Sequence, residues 1–405
     1  MVSSDTGEWA VLQRLLPPAW QQAARRFKAF RRARRVATPA ALLRLLLWHA
    51  VSDGSLRSSA EAAAEAGLAQ LSDVALRKRL AASVDWLRWL NQRLCLQVRA
   101  NHPAPGWRLR ALDGSTVQGP RSTGVQWRLH YTLDLQSLDC DWHHVTDAHT
   151  SEALELTPVG PKEVLIADRN YLRPAGVRHV RSAQGHVVVR LKWTHPKLLD
   201  SQGRRAYALT RTRRLRVDQC GDWRLALFDP DAPDDPLWGR VVALKLPAPL
   251  AARQRQRAVK SAKKKGRTAD PRSLEAAQYV MLFTTLAAEQ FDAPAVLNLY
   301  RWRWQVEVAF KRLKQLLRLG HLPHSDEKAA QGWILSKLTV ALLLEKAYRQ
   351  ALCVSPWGYE LVDPDASNSP LALVEESPAV SAPSVVPGPI PERVAGPRPT
   401  RRQVA

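Results

Sequence analysis

The stretch Glu163-Val164-Leu165-Ile166-Ala167-Asp168 decides the fold. An unbroken apolar run of this length reads as a strand buried on both faces, the habit of a parallel sheet covered by helices. It ends on an acid. Upstream, residues 107–112 read as another strand, ending at Asp113-Gly114-Ser115. Val125, Trp127, Leu129, Tyr131 and Leu133 then alternate with polar residues at the period of two expected of a half-buried strand. Further strands are expected over residues 186–192, 214–217, 223–228, 241–246 and 279–284. An α/β fold follows, with Asp113 and Asp168 at strand ends.

Before this region, residues 1–100 read as all-helical. Thr38-Pro39 is a helix start, a capping hydroxyl followed by proline at the first helical position. Segments 55–66 and 72–83, joined across Gly67 and capped by Ser72, suggest a helix-turn-helix with Arg77, Lys78 and Arg79 on its second helix. A basic run, Arg25-Arg26-Phe27-Lys28 and Arg31-Arg32-Ala33-Arg34-Arg35, precedes it. After the strands, helices are expected over residues 294–319, closed by Gly320, and 328–351. Residues 253–272 carry nine basic side chains and read as a solvated loop. Residues 353–405 are proline-rich and are expected to be disordered.

Composition bears on partners. The 405 residues hold 60 Lys+Arg against 37 Asp+Glu, a formal charge of +23 that favours polyanions, most simply nucleic acid. Hydrophobic residues make up 45%, too many for a wholly disordered chain. Cys95, Cys140, Cys220 and Cys353 form no CxxC pair, which fits a reducing compartment better than a zinc ribbon. The N-terminal Met-Val-Ser-Ser-Asp-Thr-Gly-Glu lacks the basic-then-apolar pattern of a signal peptide. No apolar run reaches membrane-spanning length. A cytoplasmic, nucleoid-associated protein is expected.

The chemistry lies in three acids. On a helix over 294–319, Tyr300, Arg303, Glu307, Lys311, Lys314 and Arg318 fall within an arc of roughly 80°. Leu299, Trp302, Val306, Phe310, Leu313 and Leu317 lie on the opposite, packing side. Glu307 joined to Asp113 and Asp168 would form a carboxylate cluster that needs cations. Hard divalent ions with oxygen ligands meet that need and serve phosphoryl transfer. The neighbouring bases would then hold phosphates.

Tyr300-x2-Arg303-x3-Glu307-x6-Lys314 resembles the Y-R-E-K motif of DDE-class insertion-sequence transposases, the insertion sequence 4 family. Asp113-Gly114-Ser115-Thr116 and Asp168-Arg169-Asn170-Tyr171 resemble that family's first and second acidic motifs. The family commonly has glycine where Asn170 stands, and asparagine is the residue that best replaces glycine at positive φ. The resemblance covers about residues 40–350. It implies a ribonuclease-H-like catalytic core over 101–194 and 286–352 with a strand-rich insertion over 195–285, beside the all-helical, DNA-binding domain read from residues 1–100. It further implies the triad Asp113, Asp168 and Glu307 as catalytic and metal-binding residues, with Mg²⁺ as cofactor and Mn²⁺ able to substitute. Tyr300, Arg303 and Lys314 are the implied phosphate contacts, Lys311 and Arg169 are further candidate DNA-binding residues, and Tyr279 is a candidate holder of an extruded base. The implied partners are double-stranded DNA, at transposon terminal repeats and target, and a second copy of the chain on DNA. The implied reaction is cut-and-paste transposition through a hairpin. A DNA-binding regulator or a catalytically dead relic is the alternative.

Overall fold

A computed structural model describes residues 5–52, 54–100, 106–119, 125–320, 322–323 and 326–352. The proline-rich tail over 353–405 lies outside the described residues. The chain opens with α1 (Asp5–Leu15), α2 (Trp20–Arg26), α3 (Pro39–Val51), α4 (Leu56–Glu65), α5 (Asp73–Ala82) and α6 (Val84–Ala100). Three strands follow, β1 (Arg108–Gln118), β2 (Val125–Asp134) and β3 (Cys140–Asp147), then β4 (Glu163–Ala167), α7 (Pro174–Ser182) and β5 (His186–Arg190). The segment after β5 holds β6 (Leu198–Leu199), β7 (Arg205–Ala206), α8 (Ala208–Thr212), β8 (Cys220–Leu227) and β9 (Leu237–Lys245). It continues through α9 (Ala248–Lys264), α10 (Pro271–Ala276) and β10 (Tyr279–Thr284). Helices α11 (Ala293–Arg301), α12 (Trp304–Gln315) and α13 (Glu327–Leu352) complete the described chain.

One mixed sheet organises these elements, in the order β3-β2-β1-β4-β5-β10-β9-β8-β6-β7. The strands β1, β4 and β5 run parallel, and the pairs on either side are antiparallel. Strand β4 is buried along its whole length, as a central parallel strand must be. The strands of segment 195–285 extend this sheet edge to edge.

The capping chemistry read from the sequence operates locally. Thr38 Oγ1 accepts from the Ala41 N–H at 3.0 Å, with Pro39 at the first helical position of α3. Ser55 and Ser72 cap α4 and α5 in the same way. The helices α1–α6 and α13 share one apolar core with the face of the sheet that carries Leu129, Tyr131 and Leu133. Gly332 lets α13 approach α5 closely, since a Cβ there would meet the Leu80 carbonyl oxygen at 2.5 Å. Arg77, expected to face DNA, is tied to Asp326 beside α13 at 3.0 Å, while Lys78 is exposed.

Three expectations need correction. The basic segment 253–272 is not a loop: α9 covers most of it, followed by α10. Alanine, arginine, glutamine and lysine are strong helix formers, and helix propensity wins where only Ala251 is buried. The single helix over 294–319 is broken into α11 and α12, because the N–H groups of Trp302 and Arg303 bond three residues back, to Leu299 and Tyr300. Residues 214–217 form no strand, and the Leu215 carbonyl accepts instead from Lys245 Nζ.

Glu345 on α13 faces Tyr131 and Cys140 on the sheet. Burial lifts its carboxyl to about 7, against the Cys140 N–H at 3.2 Å and the Tyr131 hydroxyl at 3.3 Å; Asp139 adds to the rise and Arg312 opposes it. A carboxyl raised in the folded state stabilises fully below its unfolded pKa and loses that contribution as pH climbs through 7. Glu345→Gln should therefore stabilise by about 2 kcal/mol at pH 8 and by almost nothing at pH 4.5. Thermal melts of the two proteins across that range check this.

Candidate active site

In the parallel pairing of β1 with β4, Leu112 lies opposite Ala167, and the next residue on each chain is an aspartate. Asp113 and Asp168 therefore stand side by side in the middle of the sheet. Beyond Ala167 the chain leaves the sheet through a single tight turn, residues Arg169–Tyr171. Strand β1 does not end at Asp113, as the sequence suggested, because β2 continues to pair with it as far as Gln118. Asn170 has no positive φ, so its replacement of glycine costs nothing in the turn.

Burial raises Asp113 to about 6, opposed by the Gly114 N–H at 2.8 Å and by Arg303, with Glu152 and then Asp168 pushing it further up. Glu152 was not foreseen. It lies in an irregular stretch without periodicity, and only the fold brings it to Gly114, where a Cβ would stand 2.7 Å from its carboxylate. Its neighbour Asn170 approaches it at 3.5 Å. The Tyr171 hydroxyl, buried and without a hydrogen-bond partner, feels Glu152, Asp113 and Asp168; with burial they hold its proton well above the usual phenol range.

Glu307 reaches this group through Arg303. The break between α11 and α12 sets Arg303 so that Nη1 lies 3.7 Å from Asp113 Oδ2 while Nη2 is ion-paired with Glu307. The guanidinium also lies 5.7 Å from the Tyr300 ring centre. Burial raises the Tyr300 phenol, against Arg303 and Arg190. Leu299, Val306, Phe310 and Leu313 are buried behind them, so the packing face expected of one helix survives its division into two. Lys311 and Lys314 are exposed on α12.

A cleft of about 820 Å³ opens from Asp168, Arg169, Asn170, Tyr300 and Arg303. Arg190, Lys192 and Tyr279 also line it, and α9 contributes Arg257, with Lys265 just after the helix end. Helix α9 thus brings basic charge of segment 195–285 to the cleft that Asp168 lines, which no sequence period could show.

The donors around Asp113 are carboxylate and hydroxyl oxygens, hard ligands suited to a divalent cation rather than to a soft metal. Arg303 occupies the position of a counter-cation between Asp113 and Glu307, and the unpartnered Tyr171 hydroxyl marks further polar capacity beside it. The residues therefore fit a divalent cation. Among the described residues, no three of His, Cys, Asp or Glu already converge on one point at ligand distance. Nor is any helix among them long and apolar enough to cross a membrane.

Residues 105–343 match the family model described as a transposase DDE domain. The transposase for insertion sequence element IS421 of Escherichia coli is 32% identical over 347 residues, covering 84% of this chain and 93% of that protein. The InsL protein for insertion sequence element IS186A of Escherichia coli K12 is 31% identical over the same shares. A solved synaptic complex of piggyBac transposase with hairpin DNA aligns with 82% of this chain and 70% of its own, at a TM-score of 0.45 and 10% identity, too distant to assign the fold by. With more than half its length matched by the model and relatives above 30% identity across most of it, the chain belongs to the transposase DDE domain family.

Proposed function

We propose that this protein is a DNA transposase of the insertion sequence 4 family, cleaving DNA at transposon ends and joining them to a target. The observation that carries the reading is the placing of Asp113 and Asp168 side by side, one residue past the last parallel pair of β1 and β4, with Asp168 lining a basic cleft. The strand order β3-β2-β1-β4-β5 supports a ribonuclease-H-like core, with segment 195–285 as its insertion. Asp113, Asp168 and Glu307 are the catalytic acids. A bound Mg²⁺, or Mn²⁺ in its place, would stabilise charge on the attacking and leaving oxygens.

The chain's own residues bind and orient. Tyr300, Arg303, Lys311, Lys314 and Arg169 hold phosphates near the cut, and Tyr279 offers a ring at the cleft for a base taken from the stack. The freed 3′-hydroxyl attacks the opposite strand to close a hairpin, and the reopened end then attacks target DNA. In the hydrolytic steps water adds to phosphorus and leaves a 3′-hydroxyl and a 5′-phosphate. In the transfer steps the attacking 3′-hydroxyl forms one phosphodiester bond as another breaks and frees its own 3′-hydroxyl. Two copies of the chain act on two ends, in the cytoplasm beside the nucleoid.

The deciding experiment mixes purified protein and Mg²⁺ with DNA flanking its gene, next to Asp113→Asn. Site-specific nicks and hairpin ends, absent from the variant, are expected. Specific binding without cleavage would instead identify a regulator or an inactive copy. The cleft makes a separate prediction. Replacing Arg257 and Lys265 together with alanine should lower the salt slope of DNA binding by about two units. An unchanged slope would return α9 to the solvent.

A further inference from the structure

We infer that Arg303 is a stand-in cation for the DNA-free protein, and that a DNA phosphate must draw it away before Asp113 and Glu307 can share a divalent ion. The inference rests on the reading of these acids as the metal ligands, and adds an order of assembly to it.

The guanidinium lies between two of the three acids, 3.7 Å from Asp113 and ion-paired with Glu307. It is well shielded, with its side chain 15% exposed, while Glu307 is 57% exposed. Such a charge opposes a second cation beside it, since like charges a few ångströms apart repel strongly where water is excluded. Arg303 is also unfinished: its Nε is buried without a hydrogen-bond partner. The same residue lines the cleft that Arg190 and Lys192 also line, where a phosphate would find it. A phosphate offers the planar fork a bidentate partner as good as the carboxylates it leaves. Moving Arg303 from acids to phosphate therefore exchanges one pairing for another and uncovers two carboxylates. Arg303 sits at the break between α11 and α12, and its side chain makes no cap hydrogen bond that would tie it to the start of α12.

By linkage, DNA and metal must then tighten each other's binding by the same factor. The test is Mn²⁺ binding to the full-length protein, read by electron paramagnetic resonance of the free ion, with and without duplex DNA from the flank of its gene. Without DNA, Arg303→Gln should bind Mn²⁺ at least about ten-fold more tightly than the unaltered protein, and Arg303→Lys, which keeps the charge, should not. Adding duplex should tighten the unaltered protein by a similar factor and Arg303→Gln much less. Equal or weaker Mn²⁺ binding by a folded Arg303→Gln protein would overturn the inference. If Asp113→Asn still loses Mn²⁺ in that case, the assignment of the acids stands and only the stand-in role falls. If Asp113→Asn binds Mn²⁺ as the unaltered protein does, the assignment itself fails and the inference with it.

Discussion

Glu307→Gln should lower end cleavage about a thousand-fold, the rate equivalent of about 4 kcal/mol of lost transition-state stabilisation. DNA binding and folding should be nearly unchanged. Glu307 is exposed on α12, and an ion pair with so exposed a carboxylate contributes little to stability, even with a shielded arginine as partner. A loss of activity would thus report chemistry rather than unfolding. The variant also keeps the shape of the side chain and removes only its charge. Cleavage kinetics with Mg²⁺, set beside a thermal melt and a binding isotherm, separate the effects. Cleavage at the unaltered rate would remove Glu307 from the catalytic group, leaving Asp113 and Asp168 to be explained without it.

Arg110→Met should destabilise the fold by about 3–5 kcal/mol. Arg110 is fully buried in β1, where Nε lies 2.5 Å from Asp141 and Nη1 lies 2.9 Å from Glu163. The same guanidinium donates to the Pro158 carbonyl at 2.6 Å and to Thr132 Oγ1 at 3.1 Å. Arg108 approaches Asp141 at 3.0 Å, and Arg99 approaches Glu163 at 2.7 Å. Burial alone would raise the Asp141 carboxyl, but Arg110 holds it below the usual range. Without Arg110, buried acid charge loses its main partner, and the cost is that of an uncompensated ion. Arg110→Lys should cost less, since the charge remains and only the forked geometry is lost. Urea unfolding of the three proteins measures both effects; an Arg110→Met protein as stable as the original would show that the network contributes nothing net. This cluster lies at the start of β1 and β4, away from Asp113 and Asp168, so it braces the strands that carry the aspartates.

Much of this was legible in the residues. The run 163–167 announced β4 because only a strand buried on both faces reads as continuously apolar. Thr38-Pro39 and Ser72 announced helix starts because capping depends on one or two local side chains. Helix α9 was missed because its charged surface shows no core-facing stripe, and the period of apolar residues is the stronger signal in sequence. The division of α11 from α12 was missed because the packing stripe continues across it. Arg77 could not be distinguished from Lys78 by sequence, since the partner of Arg77, Asp326, lies 249 residues away.

The sequence by itself determined the buried strand β4, several helix starts and the acids and bases from which a site could be assembled. These depend on local patterning and on motif spacing, which a linear chain carries in full. Tertiary structure alone decided which acids meet. Asp113 and Asp168 are neighbours through strand register, Glu152 arrives through a gap left by Gly114, and Arg303 joins Asp113 to Glu307 across a helix break. Side-chain charge is written in the chain, but its partner is chosen by packing between segments far apart in sequence, and the electrostatics of the site follow from that choice.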